Sequence, residues 1–481
     1  MAYKDLREWI NQVDEIGGLH RVEGAEWDLE AALICNITPD MVLFDRFPGY
    51  PQGYRVLASL VKERAKTFFI TGSWQCEHTQ GTPLTRAWKD RLKTFKPVPP
   101  REVSDGPIME NVFFGKDVDL LRFPVPRRYE GEPRYIGTGH TVIMRDPDTD
   151  RVNLGTYRMQ LHDKSTAGIH SSEGKDGRII MDKYNKMNKP CPVVTVVGID
   201  PGLFHASTTH LTHGDGVSEL DYAGWLKGQP EEVIMGRMTG LPIPSHAEIA
   251  FEGEILPGEK RLEGPFAEWS GWSQVKEFPV VRVTALYHRD DPILTFCMGS
   301  EFRPPGKEEL AVLWQQGALV WLQMELAGVR EIQGVAAFCK GRLIVVSIKN
   351  LYAGHSRQAG LIASQCHAGA YGLAYVIVVD ADIDPANIKD VLWAVACRTE
   401  PKRAVQILEE CWASHLTMQD PAGVQKTDYG MDALKATYMS KAVIDACRPI
   451  EWDTSWHADV YLNPQLKQKV MDKWGPVLGK A

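Results

Sequence analysis

The run His140–Asp163, HTVIMRDPDTDRVNLGTYRMQLHD, holds two β-rich stretches on either side of Pro147-Asp148-Thr149-Asp150. Valine, isoleucine, threonine and tyrosine suit a pleated strand, and a Pro-Asp-x-Asp cluster is turn chemistry. The pattern therefore predicts paired strands. The same texture continues outward. PCPVVTVVGID (190–200) is a nearly continuous apolar run of the kind a buried strand shows. HAEIAFEGEIL (246–256) alternates, and PVVRVTALYHRDDPILTFCMG (279–299) reads as a hairpin around Arg289-Asp290-Asp291. Strands at this spacing predict a barrel over residues 108–304.

The flanks read differently. DLREWINQVDEIG (5–17) spaces Leu6, Ile10 and Val13 as a helix does. TPLTRAWKDRLKTF (82–95) is a second helix, with Thr82 or Thr85 as its cap, and KPVPPREV (96–103) is a linker. Beyond 304, KEELAVLWQQGALVWLQMELAG (307–328) is a long helix, and residues 342–398 then read strand, helix, strand, helix. That βαβ series implies a parallel sheet. The expected fold class is α/β. An N-terminal α/β domain (1–107) precedes the barrel (108–304), a C-terminal α/β domain (305–447) follows it, and a tail (448–481) ends in a short amphipathic helix suited to oligomer contacts.

Composition excludes several classes. A chain of 481 residues carries about three domains and needs no staples to bury a core. The formal charge of −8 argues against a general nucleic-acid binder. No run of roughly 18 apolar residues is present and the charged N-terminus lacks a signal peptide's apolar stretch. The nine cysteines form no C-x-x-C pair, which weakens both disulfide scaffolds and zinc ribbons. A soluble protein of the reducing cytoplasm is expected.

Three elements of the barrel segment carry chemistry: Asn153-Leu-Gly-Thr-Tyr-Arg158, Ser218-Glu219, and Glu263-Gly-Pro-Phe-Ala-Glu268. The last has two carboxylates around a Gly-Pro turn, beside Trp269 and Trp272. Carboxyls in apolar surroundings hold their protons to higher pH. An arginine would keep one ionised and leave the other free to trade a proton. The bland alternative is a solvated loop with two surface glutamates. Asn153 and Arg158 would face opposite sides of a regular strand, because five is odd. A bulge at Gly155 would change that.

Taken in order, these elements resemble the UbiD family of prenylated-flavin decarboxylases. The resemblance spans the chain and includes Tyr352-Ala-Gly-His355-Ser-Arg357, Asp390-Val-Leu-Trp-Ala-Val and Ser440-Lys441-x-Val-Ile-Asp445. It implies a flavin-reductase-like split barrel in the middle of the chain. It also implies prenylated FMN supplied by a separate flavin prenyltransferase, a divalent cation such as Mn²⁺, and K⁺. The implied reaction is reversible, non-oxidative decarboxylation of an aromatic or α,β-unsaturated acid through a covalent adduct with the flavin. Arg158, Glu263 and Glu268 then form the catalytic set: Arg158 orients the substrate carboxylate, Glu263 holds Arg158, and Glu268 protonates the adduct once CO₂ has left. Cofactor contacts fall on Asn153, Thr156, Tyr157, Arg158 and Glu219. They also fall on Gly174-Lys175-Asp176, and on Arg357 at a helix start. Asn153 and Glu219 match two metal ligands, Asp176 stands where a histidine is expected, and Ala206-Ser207 match the segment whose carbonyls take K⁺. His170 is an alternative to Asp176. The resemblance also implies a homodimer or homohexamer.

Other readings remain open. His205, His210 and His213, with Asp215, resemble a metal cluster and give a rival, a metal-dependent hydrolase. An ordinary FMN-dependent oxidoreductase on the same barrel is another, and a flavin-free scaffold a third. Basic clusters at Lys62-Arg64-Lys66 and Arg86–Lys96 are solvated faces or an approach surface for an anionic substrate such as a coenzyme A thioester. Phe266, Trp269 and Trp272 suit a flat aromatic acid.

Overall fold

The computed structural model describes residues 3–60, 62, 76–209, 216–268, 271–273, 275–298, 313–413, 438–451, 464–475 and 477. Helix Leu6–Glu15 forms as its spacing demands: Asp5 accepts from the Glu8 N–H at the cap, and Leu6, Trp9, Ile10 and Val13 are buried. It leads into a four-stranded sheet of Leu19–Glu23, Met41–Arg46, Arg55–Ala58 and Ile293–Phe296.

That fourth strand corrects the expected hairpin. Ile293–Phe296 does not fold back on its predecessor; it pairs in parallel with Arg55–Ala58, 238 residues upstream. The intended turn is tied down instead by Arg7 and Arg55, which donate to the Asp291 carbonyl at 3.2 and 2.7 Å. Alternation marks a strand but does not name its partner.

The centre is a ten-stranded sheet, curled as a half-barrel. Its hub is the thirteen-residue strand Lys276–His288. That strand pairs antiparallel with Thr166–Gly168, Ile249–Ile255, Lys260–Glu263 and Asn111–Phe114. Cys191–Val197 lies between Ile249–Ile255 and His140–Arg145, and Val152–Gly155 closes the path. Both faces are apolar and nearly all their valines and isoleucines are buried.

The C-terminal sheet runs Ile332–Phe338, Leu343–Ile348, Tyr375–Asp380, Tyr438–Ala446, Val405–Trp412. The middle three strands are parallel, as the βαβ pattern requires; helix His355–Gln365 lies in the crossover from Leu343–Ile348 to Tyr375–Asp380, and helix Ile388–Arg398 leads on to the outer strand Val405–Trp412. The two outer strands are antiparallel. Helix Trp314–Leu326 packs against helix Gly81–Leu92, joining the first part of the chain to the last.

Neither threonine caps helix Gly81–Leu92 as expected. Thr82 Oγ1 donates to Asp384 at 2.6 Å and Thr85 Oγ1 to the Gly81 carbonyl at 3.2 Å. The basic run on this helix is engaged: Lys89 and Lys93 pair with Glu325 at 3.0 and 2.6 Å, and Arg91 lies over Trp225. Lys62 donates to the carbonyls of Cys35 and Thr38; Arg64 and Lys66 lie outside the described residues. Among the described residues no helix is long and apolar enough to cross a membrane.

Candidate active site

Strand Val152–Gly155 ends at Gly155 and strand Met159–Asp163 begins four residues later. The break at 156–158 removes the parity problem: Asn153 and Arg158 both face one cavity of about 510 Å³. The bend is held by Thr156 Oγ1, which donates to the His140 carbonyl at 3.2 Å, and by a 2.9 Å contact of His140 Nε2 with the Tyr157 carbonyl.

One half of the cavity is built on Arg158. Its Nε and Nη2 donate to the two oxygens of Glu263 at 2.8 and 2.9 Å, a bidentate pair. Nη1 donates to Glu268 at 2.9 Å. The three side chains are 9%, 1% and 17% exposed, so water screens them little. Tyr135 Oη also donates to Glu263, at 2.7 Å, and His170 Nδ1 lies 3.6 Å from its other oxygen.

The two carboxyls diverge accordingly. Burial alone would raise Glu263, but hydrogen bonds from His170 and Arg158 and the guanidinium charge hold it down at about 2. Burial raises Glu268, and the charges of Arg158, Arg128 and Lys340 only partly oppose it. One acid is fixed as an anion while its neighbour keeps a proton to higher pH. Burial pushes His170 down to about 4, so it is neutral, stacked on Phe278 at 4.1 Å. It lies against Glu263 and lines the same cavity.

The other half gathers oxygen donors. Asn153 Nδ2 and the Gly177 N–H both donate to the Tyr157 hydroxyl, at 3.3 and 2.9 Å. Burial lifts that phenol to about 12. Glu219 opens helix Glu219–Lys227, whose start is fixed by a capping box of Ser218 and Asp221, and accepts from the Leu154 N–H at 2.8 Å. Asp176 begins helix Asp176–Lys186 and accepts from Arg151 at 3.1 Å. Ser207, Thr208 and Thr209 complete this end. Ala206 is buried beneath it, its carbonyl accepting from the Thr209 N–H at 3.2 Å.

The C-terminal part supplies a wall. Tyr371 Oη donates to Ser172 Oγ at 2.9 Å and Trp412 Nε1 to the Glu173 carbonyl at 3.0 Å. Between them the Lys175 ammonium lies 4.0 Å from the Tyr371 ring centroid and 5.8 Å from that of Trp412. Burial lowers this lysine to about 8. Gly174 is required here: its φ is +78° and a Cβ would sit 2.7 Å from Trp412.

Not every expected residue converges. Arg357 is exposed on helix His355–Gln365, donates to the Arg403 carbonyl at 3.4 Å and does not line the cavity. Trp272 is 53% exposed and touches Tyr129, while Trp269, His210 and His213 lie outside the described residues. His205 is stacked on Trp314 in an aromatic core and contacts Tyr222 and Gln315; burial pushes it to about 3. It is a satisfied core histidine. Among the described residues no three His, Cys, Asp or Glu gather as a metal cluster; the candidate set has two carboxylates and an amide. Sequence reasoning missed Tyr135, Arg128, Glu132 and Lys340, which no spacing connects to Glu268.

Two successive segments of the chain match known domains. Residues 101–301 match the 3-octaprenyl-4-hydroxybenzoate carboxy-lyase Rift-related domain, and residues 310–446 its C-terminal domain. The chain belongs to the UbiD family. As a UbiD-family protein it is a carboxy-lyase, and decarboxylation of aromatic acids is the chemistry of its family. Its fold is also that of solved UbiD-class structures. The UbiD-class enzyme HmfF from Pelotomaculum thermopropionicum, in complex with FMN, aligns at 25% identity with a TM-score of 0.78, over 97% of this chain and 98% of that one. An evolved dimeric form of that enzyme, in complex with prenylated FMN, aligns at 25% identity with a TM-score of 0.75 over the same shares. In fold alone, the vanillic acid decarboxylase of Sedimentibacter hydroxybenzoicus in its closed form is similar: 24% identity and a TM-score of 0.82 over 98% and 99% of the two chains.

Proposed function

We propose that this UbiD-family carboxy-lyase uses prenylated FMN to decarboxylate, reversibly, an aromatic or α,β-unsaturated acid, with Glu268 as the proton donor. The observation that carries the reading is the Glu263–Arg158–Glu268 array, in which one guanidinium is shared by a carboxylate held ionised and a carboxyl raised by burial.

The donor set fits the cofactor. Asn153, Asp176 and Glu219 are hard oxygen ligands suited to Mn²⁺ or a similar divalent cation. Asn153 spends its amide N–H on Tyr157, which leaves its oxygen for the cation. The Tyr157 hydroxyl receives two hydrogen bonds, so its own hydrogen is available to a phosphate oxygen. The Ala206 and Ser207 carbonyls suit K⁺. Lys175 adds a cation, and Gly174 and Thr156 bound the same end. Loss of CO₂ from an sp² carbon needs an electron sink, which prenylated FMN supplies when bound.

Arg158 orients the substrate carboxylate by paired hydrogen bonds while Glu263 keeps the guanidinium in place. As CO₂ departs, the proton on Glu268 passes to the carbon it leaves, and Glu268 regains a proton from solvent. In carboxylation the same groups run in reverse. Phe266 and the apolar wall suit a flat ring. A flavin prenyltransferase supplies the cofactor, the working form is a homo-oligomer such as a dimer or hexamer, and nine cysteines outside any disulfide fit a cytoplasmic setting.

The test is co-expression with a flavin prenyltransferase, followed by mass spectrometry of the bound flavin and solvent-deuterium exchange on a panel of aromatic acids. Glu268→Gln is expected to keep the cofactor and lose exchange. Retention of unmodified FMN only, with no exchange by the wild-type protein, would overturn the reading.

A further inference from the structure

We infer that Arg128 and Glu132 form a second guanidinium–carboxylate unit whose task is to position Glu268 and set its proton affinity; this rests on the reading of Glu268 as proton donor. Arg128 Nε and Nη2 donate to the two oxygens of Glu132 at 3.0 and 2.5 Å. The side chains are 3% and 0% exposed. The geometry repeats that of Arg158 with Glu263, and the two units meet on one ring. The Arg128 guanidinium lies 4.0 Å from the Phe266 centroid and that of Arg158 lies 4.5 Å from it. Tyr135 meets the same ring edge-on at 4.7 Å.

The backbone that carries Glu268 is held with unusual completeness. Gly264 N–H donates to Gln160 Oε1 at 2.9 Å, Phe266 N–H to Ser273 Oγ at 2.9 Å and Ala267 N–H to Glu132 Oε1 at 2.8 Å. Pro265 has no N–H to give. Every amide from 264 to 267 thus ends on a side chain from another segment, and the last, adjacent to Glu268, ends on the Arg128 partner. A pair that only stabilised the fold would not need to grip this loop, nor to reach the cavity, which Arg128 lines.

Charge gives the pair a second effect. Glu268 feels Arg158 from the strand break, Arg128 from the 128–132 segment and Lys340 from the turn Cys339–Gly341. Glu263 balances the first, with His170 neutral against it, and Glu132 balances the second. Removing Arg128 leaves the Glu132 anion uncompensated and favours protonated Glu268. Replacing Glu132 by Gln keeps an acceptor for Ala267 N–H but leaves the Arg128 cation uncompensated, which favours ionised Glu268. The two halves of one ion pair should therefore shift the same carboxyl in opposite directions.

The experiment follows the Glu268 carboxyl by infrared difference titration in flavin-free protein, against Glu268→Gln as reference, for Arg128→Met, Arg128→Lys and Glu132→Gln. Thermal melting confirms that each variant is folded. Arg128→Met is expected to move the titration up, and Glu132→Gln down, by about one unit or more. Arg128→Lys keeps the charge and should leave it within about half a unit. In flavin-loaded protein Arg128→Met should lower kcat about ten-fold or more with little change in KM, because the turn carrying Glu268 loses its anchor and a carboxyl of raised proton affinity is a weaker acid, and Arg128→Lys should recover part of it. Folded variants whose titrations do not move, or move together, would overturn the inference. If instead Glu268→Gln stays active while the titrations split as expected, the pair controls Glu268 but the proton-donor assignment fails.

Discussion

Glu263→Gln isolates the electrostatic logic of the site. The substitution keeps the side chain's volume and removes its charge. In the native site Arg158 gives two N–H groups to Glu263 and one to Glu268. An arginine within hydrogen-bond reach lowers a carboxyl's pKa by about 1–3 units. Glu263 offsets much of that effect on Glu268, which burial then raises. Without the Glu263 charge the guanidinium has one carboxylate left, and Glu268 should fall by about 1–2 units. As the proposed proton donor Glu268 must be protonated, so activity should be lost as pH rises through its pKa. The alkaline limb of kcat against pH should therefore move down by about 1–2 units. Above that limb kcat should drop about 10–100-fold, since each unit is a factor of ten in protonated fraction. The assay is deuterium incorporation from solvent across pH, with flavin content measured for each preparation. A variant with normal flavin, an unmoved limb and kcat within about two-fold of wild type would refute the role given to Glu263.

Three further outcomes are expected. His140, His170 and His205 are pushed by burial to about 4, 4 and 3, so the unfolded chain takes up protons first as pH falls below their ordinary value. Stability should fall between about pH 6.5 and 4, by on the order of 3 kcal/mol per histidine over the whole range; a urea midpoint that is unchanged between pH 7 and 5 would contradict this. Gly155→Ala places a Cβ 2.3 Å from the Tyr157 oxygen. Overpacking of that kind costs about 1–3 kcal/mol, and a lowered Tm together with weaker FMN retention is expected, whereas unchanged retention would detach Tyr157 from the cofactor end. Asp176→Ala should reduce Mn²⁺ affinity at least about ten-fold by equilibrium dialysis, and unchanged metal content would remove Asp176 from the ligand set.

The elements that were legible in sequence are those whose signal is local. Helix Leu6–Glu15 and the parallel strands Leu343–Ile348 and Tyr375–Asp380 follow from periodicity and βαβ order. The Glu263–Glu268 element was visible because both acids sit on one short turn. What periodicity cannot carry is partnership at a distance. Ile293–Phe296 has the right residues for a hairpin but a better partner in Arg55–Ala58. Arg357 had the right context for a phosphate contact, yet the helix face it occupies turns it to Arg403 and solvent. Arg128 and Glu132 stand four apart in a stretch that is not helical, so nothing in their spacing announces a buried pair.

The cavity's two ends are written in different parts of the chain. The oxygen-rich end comes from Asn153, Asp176 and Glu219, whereas another part of the lining draws on Cys297, Met298, Lys340 and His367. A change of acid therefore need not disturb the proposed cofactor end. Variants confined to Cys297, Met298 and His367 are expected to change which rings are accepted while flavin and metal affinities stay constant. Among the described residues, Tyr371 and Trp412 grip Ser172 and Glu173 and so couple the two regions. Divergence of substrate range within such a scaffold can thus proceed by late-chain mutation alone, with the costly cofactor apparatus inherited intact.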